Sequence, residues 1–379
     1  MKIAPSRQPI WLTCVVAASL GCNRDNASSP QSGRAVAQPA NTQIADTQIG
    51  NPASFPFKFV AYGDMRFAEH ASYGVPIVKE YPIANEEARQ QVIDQIAKEA
   101  PPLLVVTGDF VFRGFHDEDW THFDQAIKAL KDRGTLIFPA IGNHEVGPFP
   151  AAKIWGPKFF REIEGLAKEK IASRGLKNYY KQFPGISNKP WYWVRYANCY
   201  FLMLDSEIED MQTITAQEQW INARLDAMPS DIDYIFVAMH RAPYTALTGP
   251  NDTVHTPQPQ QTRLRALLEQ RQKTTRARII VISGHVHNYE RFRHQDVNYI
   301  VSGGGGAEPA KFPSRAPDDL YPHNSLYGKS DPADADQFHY CLFTVDHTRL
   351  NFQMMKLVGK GNSATFEPRD SFTLDAAGR

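Results

Sequence analysis

Five segments of this chain carry residues that bind metals or move protons, and each follows directly on an apolar run. They read Gly63-Asp64, Gly108-Asp109, Gly142-Asn143-His144-Glu145, His240 and Gly284-His285-Val286-His287. A single Asp or His of this kind is an ordinary turn residue. Together they assemble carboxylate, amide and imidazole groups, a donor set suited to Zn, Mn or Fe. Two such ions about 4 Å apart, sharing one carboxylate, could activate a water and clamp the oxygens of a phosphoryl group. His285 and His287 are alternate residues, so an extended segment would turn both to one face.

The elements that must position these groups are legible in the same stretches. The runs Phe57–Tyr62, Leu103–Thr107, Leu136–Ile141, Tyr234–Met239 and Ile279–Ser283 are almost continuously apolar, as strands buried on both faces are. Open α/β sheets place their ligands at the carboxyl ends of such strands. Helical patterns separate them. Asn85 reads as an N-cap, with Glu86 and Glu87 in the first turn and Val92, Ile93 and Ile96 at helical spacing, and Pro101-Pro102 ends that helix. Gln217–Ala227 and Gln261–Gln272 read as further helices, and Tyr299–Gly303 and His339–Val345 as later strands.

The ordered series of blocks resembles the calcineurin-like metallophosphoesterases. Gly284-His-Val-His-Asn-Tyr-Glu-Arg291 and His240-Arg241-Ala242-Pro243-Tyr244 are most similar to the purple acid phosphatase branch. The resemblance spans roughly Phe57 to Leu357. It implies an α/β fold of two mixed β-sheets face to face, flanked by helices in four layers. It also implies hydrolysis of a phosphate ester by hydroxide on a pair of metal ions (Fe, Zn or Mn). Asp109 would bridge the pair. Asp64 and His287 would hold the first ion, and Asn143, His240 and His285 the second. His144 would stand over the leaving group as general acid, oriented by Glu145. Phosphatase activity is the leading expectation. A phosphodiesterase of the same fold is an alternative, as is a degenerate lipoprotein that binds phosphorylated ligands without catalysis.

Two positions depart from the family pattern. Its general form has a His two residues after the first Asp, where this chain has Arg66. The purple branch supplies a Tyr three residues after the second Asp, where this chain has Phe112. Neither replacement can coordinate a metal. Water or His70 could fill the gap, the first ion could bind weakly, or Arg66 could grip phosphate with its planar fork. We take Arg66 as phosphate-facing. Without a Tyr ligand, no purple charge-transfer colour is expected even with iron.

The N-terminus reads as an export signal over residues 1–21: Lys2 and Arg7 precede an apolar stretch, Ile10–Leu20, too short for a stable membrane span. Ser19-Leu20-Gly21-Cys22 resembles a bacterial lipobox with Ser19 in place of the usual Leu, so Cys22 would carry a lipid. An ordinary cleaved signal or an uncleaved anchor are the alternatives. Residues 22–54, rich in Ser, Asn, Gln, Ala and Pro, read as a flexible tether, and 55–379 as the catalytic domain. The expected location is the bacterial cell envelope, facing the periplasm or the outside. Lys+Arg and Asp+Glu both number 41, which argues against nucleic acid as a partner and leaves a phosphate ester as the expected one. Cys199 and Cys341 either pair or remain buried thiols. The basic, aromatic segment 158–181 reads as a solvated helix with an apolar inner face, or as a cap over the substrate.

Overall fold

The computed structural model describes residues 42–49, 55–68, 72–75, 78–82, 84–147, 168–247, 254–310 and 338–376. Signal and lipobox lie outside them. Its strands are β1 (Thr47–Ile49), β2 (Phe57–Tyr62), β3 (Ser72–Val75), β4 (Val78–Pro82), β5 (Leu103–Val106), β6 (Leu136–Pro139), β7 (Tyr192–Tyr196), β8 (Cys199–Met203), β9 (Tyr234–Ala238), β10 (Arg278–Ser283), β11 (Tyr289–His294), β12 (Val297–Ser302), β13 (His339–Val345), β14 (Arg349–Val358) and β15 (Thr365–Asp375). A seven-stranded sheet runs β1-β7-β8-β9-β10-β12-β11, and a six-stranded sheet runs β15-β14-β13-β2-β5-β6. Each is mixed. β2, β5 and β6 are parallel at the centre of one, and β8, β9, β10 and β12 at the centre of the other. A separate hairpin pairs β3 with β4.

Period-2 alternation explains why the central strands are apolar throughout. Phe201, Phe236, Ile280 and Ile282 face one core, while Leu202, Ile235, Val237, Ile279 and Val281 face another. The first core lies between the sheets. Phe59 of β2 meets Phe201 and Phe236 edge-on at 5.4 and 4.9 Å and stacks on Phe343 of β13 at 4.5 Å. Each of these rings is fully buried, which contributes about 1.5–3 kcal/mol per side chain. The second core lies under helices Met211–Asp226 and Pro259–Gln272, through Ile221, Leu225, Leu264 and Leu268. Helix Glu86–Glu99 covers the six-stranded sheet with Val92, Ile93 and Ile96. Its N-cap is Asn85, whose side chain accepts from the Ala88 amide at 3.0 Å.

Two expectations need correction. The tether does not extend to residue 54. Thr47–Ile49 pairs in parallel with Val194–Tyr196, and Ile44 and Ala45 are buried. A short edge strand needs few apolar residues, so its composition reads as a linker. His285 and His287 do not lie on an extended segment either. The Val286 amide donates to Gly284 O at 2.8 Å and the Asn288 amide to Val286 O at 2.7 Å, so the loop turns tightly twice. Cys199 and Cys341 are buried free thiols. Of the 158–181 segment, helix Lys168–Gln182 is described, and its inner face buries Ile171 and Tyr179. The rest of that segment lies outside the described residues, as do the surroundings of His70.

Candidate active site

The carboxyl ends of the two parallel strand sets meet. Past β2 and β5 the chains stay paired: Asp64 N donates to Gly108 O, Arg66 N to Asp109 O and Phe67 N to Phe110 O, at 3.0–3.1 Å. Asp64, Arg66, Asp109 and His285 all have left-handed backbones, with φ of 62, 51, 54 and 68°. Such conformations cost of order 1–3 kcal/mol each and persist where the surroundings over-determine them. Gly108, at φ 89°, has to be glycine for space as well. A Cβ there would lie 2.8 Å from both the Gly142 backbone and His240 Nδ1.

Every histidine of the site uses one ring nitrogen on a backbone carbonyl. His240 Nδ1 meets Thr107 O, His287 Nδ1 meets Glu308 O and His144 Nδ1 meets Phe112 O, each at 2.8 Å, and His285 Nε2 meets Val254 O at 3.0 Å. A carbonyl only accepts, so those nitrogens of His144, His240 and His287 carry the proton, whereas His285 Nε2 also meets Arg241 Nη1, which only donates, at 3.1 Å. The opposite nitrogens of the first three present lone pairs inward, an orientation typical of metal-binding imidazoles.

The consequence is a close convergence of atoms that can ligate a metal. Asn143 Oδ1 lies 2.9 Å from both His240 Nε2 and His285 Nδ1, which are 3.2 Å apart, and Asp109 Oδ1 is 3.3 Å from His240 Nε2. Atoms bound at 2.0–2.1 Å around one tetrahedral centre lie roughly 3.3 Å apart. These four residues therefore fit a metal ion. The ligand atoms of Asp64, Asp109 and His240 all fall within 4.8 Å of one another. His287 Nε2 is 3.6 Å from Asp64 Oδ1, buried and without a hydrogen-bond partner.

Burial sets the charge states. It pushes His285 and His287 well below the ordinary imidazole value, helped by His240 for the first and by Arg66 for the second, and it lowers His240 as well. Burial followed by the Asp109 charge raises Asp64. Burial alone would raise Asp109 too, but His144, His240 and Arg66 hold its carboxyl well below the usual range. His144, pushed down to about 3 by burial and then by Arg66, is neutral in the free protein.

Glu145 stands differently from expectation, and Arg66 and Tyr244 have partners of their own. Glu145 does not touch the His144 ring. Its carboxylate accepts from the amides of Asp109, Phe110 and Gly142 at 2.9 Å and of Val111 at 3.4 Å, tying the second block to the third. Burial, then Asp109, pushes it up to about 8 against the pull of those amides. Arg66 pairs with Asp109, its Nη2 and Nε lying 3.2 and 3.4 Å from Oδ2. Tyr244 is core, packed on Tyr299 and donating to Glu269 at 2.7 Å. The sequence reading missed Ser206 and Glu207. Ser206 Oγ accepts from the His240 and Arg241 amides at 3.2 and 2.8 Å, and Glu207 accepts from Arg241 Nε at 2.9 Å. They follow the apolar run of β8 as the other blocks follow theirs, and that signal was available. A cavity of about 530 Å³ opens here, lined by Ser206, Glu207, Met211, Arg241, Val254 and Gln261.

This combination of mixed parallel-centred sheets and a buried acid–imidazole cluster defines a metal-dependent hydrolase class. The family model of the calcineurin-like phosphoesterases matches residues 43–289, and the chain belongs to that family of phosphoric ester hydrolases. Among solved structures it is similar to a purple acid phosphatase from yellow lupin (Lupinus luteus) seeds, with a TM-score of 0.58 and 19% identity over 85% of this chain and 54% of that one. PhoD matches with a TM-score of 0.54 and 15% identity, over 89% of this chain and 71% of that one. GAP50, the anchor in the inner membrane complex of Plasmodium, matches with a TM-score of 0.52 and 13% identity, over 85% and 89%. These likenesses concern the fold, and the chain spans about half the length of the lupin protein. No curated protein matches in sequence.

Proposed function

We propose that this protein is a metal-dependent phosphatase acting on phosphate monoesters at the Asp109 cluster. The observation that carries this reading is the convergence of Asp109 Oδ1, Asn143 Oδ1, His240 Nε2 and His285 Nδ1 within ligand-to-ligand distances of one another. An ion bound there would supply Lewis acidity toward a phosphoryl oxygen and toward the attacking water. The protein's own groups do the rest. The Thr107 carbonyl holds His240 in the ligating tautomer, and Val254 O and Arg241 Nη1 position the His285 ring. Glu145 fixes the Asp109 loop. His144 Nε2, 3.7 Å from Asp109 Oδ2, faces the same centre. An incoming phosphate dianion favours its protonated form, which can then give a proton to the leaving oxygen.

GAP50 carries this fold and is described as an anchor, so the fold alone does not require catalysis. Retention of the complete Asp109–Asn143–His240–His285 set favours the enzyme here. The N-terminal sequence supports export and a lipid on Cys22. A Cys22→Ala variant would then leave the membrane fraction.

The test is hydrolysis of an aromatic monoester and the matching diester, with Mn, Zn or Fe added, beside Asp109→Asn. Metal-dependent turnover that is lost in the variant supports the reading. A diester preference would move the assignment to phosphodiesterase. Absence of turnover from folded, metal-loaded protein would sink it.

A further inference from the structure

We infer that this chain holds a single metal ion, on the Asn143 side of Asp109, and that the Arg66 guanidinium stands where the family pattern puts a second ion. The inference rests on the metallophosphoesterase reading of this site and specifies its metal content.

Asp109 has two oxygens, and their surroundings differ. Oδ1 faces His240 and receives the His144 amide at 3.0 Å. Oδ2, the lobe a bridging carboxylate would offer to a second ion, is taken by Arg66 through two nitrogens at 3.2 and 3.4 Å. A guanidinium keeps its proton under all ordinary conditions, so it neither ligates nor vacates its charge. A divalent ion on Oδ2 would sit against a fixed positive charge in a buried site, where repulsion is poorly screened.

Arg66 is also anchored there. Its amide donates to Asp109 O at 3.0 Å, and its carbonyl accepts from Arg89 Nη1 at 3.0 Å. Arg89 is itself buried, donates to Met65 O at 3.3 Å and lies over the Phe67 ring at 4.0 Å. The Arg66 side chain is only 13% exposed. Phe112, the other departure, is buried with its ring 5.3 Å from that of His144 and brings no donor atom.

What remains on that side is a pair of latent ligands. Asp64 accepts the His285 amide at 3.0 Å, and His287 Nε2 is buried with no hydrogen-bond partner. Arg66 therefore blocks a position whose other ligands are still in place. Replacing it with histidine restores a neutral donor and removes the charge, so Arg66→His should open a second ion site.

The experiment counts metal on the full chain, loaded with Mn(II), desalted and measured by plasma mass spectrometry, with electron paramagnetic resonance on the same samples. The expected result is one ion per wild-type chain with the hyperfine pattern of isolated Mn(II), and two ions with an exchange-coupled signal in Arg66→His. Two ions in the wild type would overturn the inference, and this reading does not depend on the variant folding. One ion in both folded proteins would overturn the claim that Arg66 is what excludes the second. No ion in either would remove the metallophosphoesterase reading as well, so the two failures are distinguishable.

Discussion

His240 Nδ1 donates to the carbonyl of Thr107 at 2.8 Å, joining the end of a strand in the seven-stranded sheet to the end of one in the six-stranded sheet. That single bond sets the tautomer of His240, aims Nε2 at Asn143 and Asp109, and fixes the spacing of the two sheets where the site forms. Gly108 follows Thr107 and leaves no room for a Cβ beside the ring. Gly108→Ala should therefore lower metal affinity by at least the ~10–100-fold typical of lost outer-shell support. Isothermal titration with Zn or Mn would check it.

Glu145 gathers four backbone amides from two loops. Gln can satisfy part of that set, but its amide nitrogen would then face other donors. Each buried group left unsatisfied costs about 1–3 kcal/mol. Glu145→Gln should lower the melting temperature by several degrees and weaken metal binding, with the His144 ring undisturbed because it is held by Phe112 O. Unchanged stability and metal affinity would contradict the assigned role.

His144 is placed to serve proton transfer and binds the main chain through Nδ1. His144→Gln should reduce kcat by about 10²–10⁴-fold. Metal content should stay at the wild-type level. The rate should also become more dependent on leaving-group basicity, because the leaving oxygen then departs unprotonated, and a purely structural defect would not alter that slope.

The imidazoles of His240, His285 and His287 are all pushed below the ordinary 6.5 by burial. A group with a depressed folded value is less protonated near pH 6.5 than a solvated imidazole, so metal uptake there displaces fewer protons from it. Loss of metal affinity to imidazole protonation should therefore set in at lower pH than it would for solvated imidazoles. Metal titrations at a series of pH values would show it. A steep loss beginning at pH 7 would mean that the imidazoles are solvated.

Phe112 stands where the purple branch supplies a phenolate. Iron-loaded protein should show no visible tyrosinate charge-transfer band, which an absorption spectrum settles directly.

The elements and the inventory of the site are legible in the residue pattern alone. Apolar runs buried on both faces have a signature that turns do not share, and a polar block after each run marks where the strand stops. Asp64, Asp109, Asn143, His240, His285 and His287 were all legible this way, and the structure brings all of them to one place. Tertiary structure decided how they are used. The pairing of Arg66 with Asp109 joins residues 43 positions apart, and the Glu145 contacts join loops from separate strands. The inclusion of Thr47–Ile49 as an edge strand depends on a partner, Val194–Tyr196, far along the chain. Such choices follow from distance and burial between segments, which no local pattern of residue types encodes. A charged side chain in a turn reads the same whether it meets phosphate, solvent or a buried carboxylate. Only the fold, by placing Asp109 Oδ2 within reach of Arg66, selects the last.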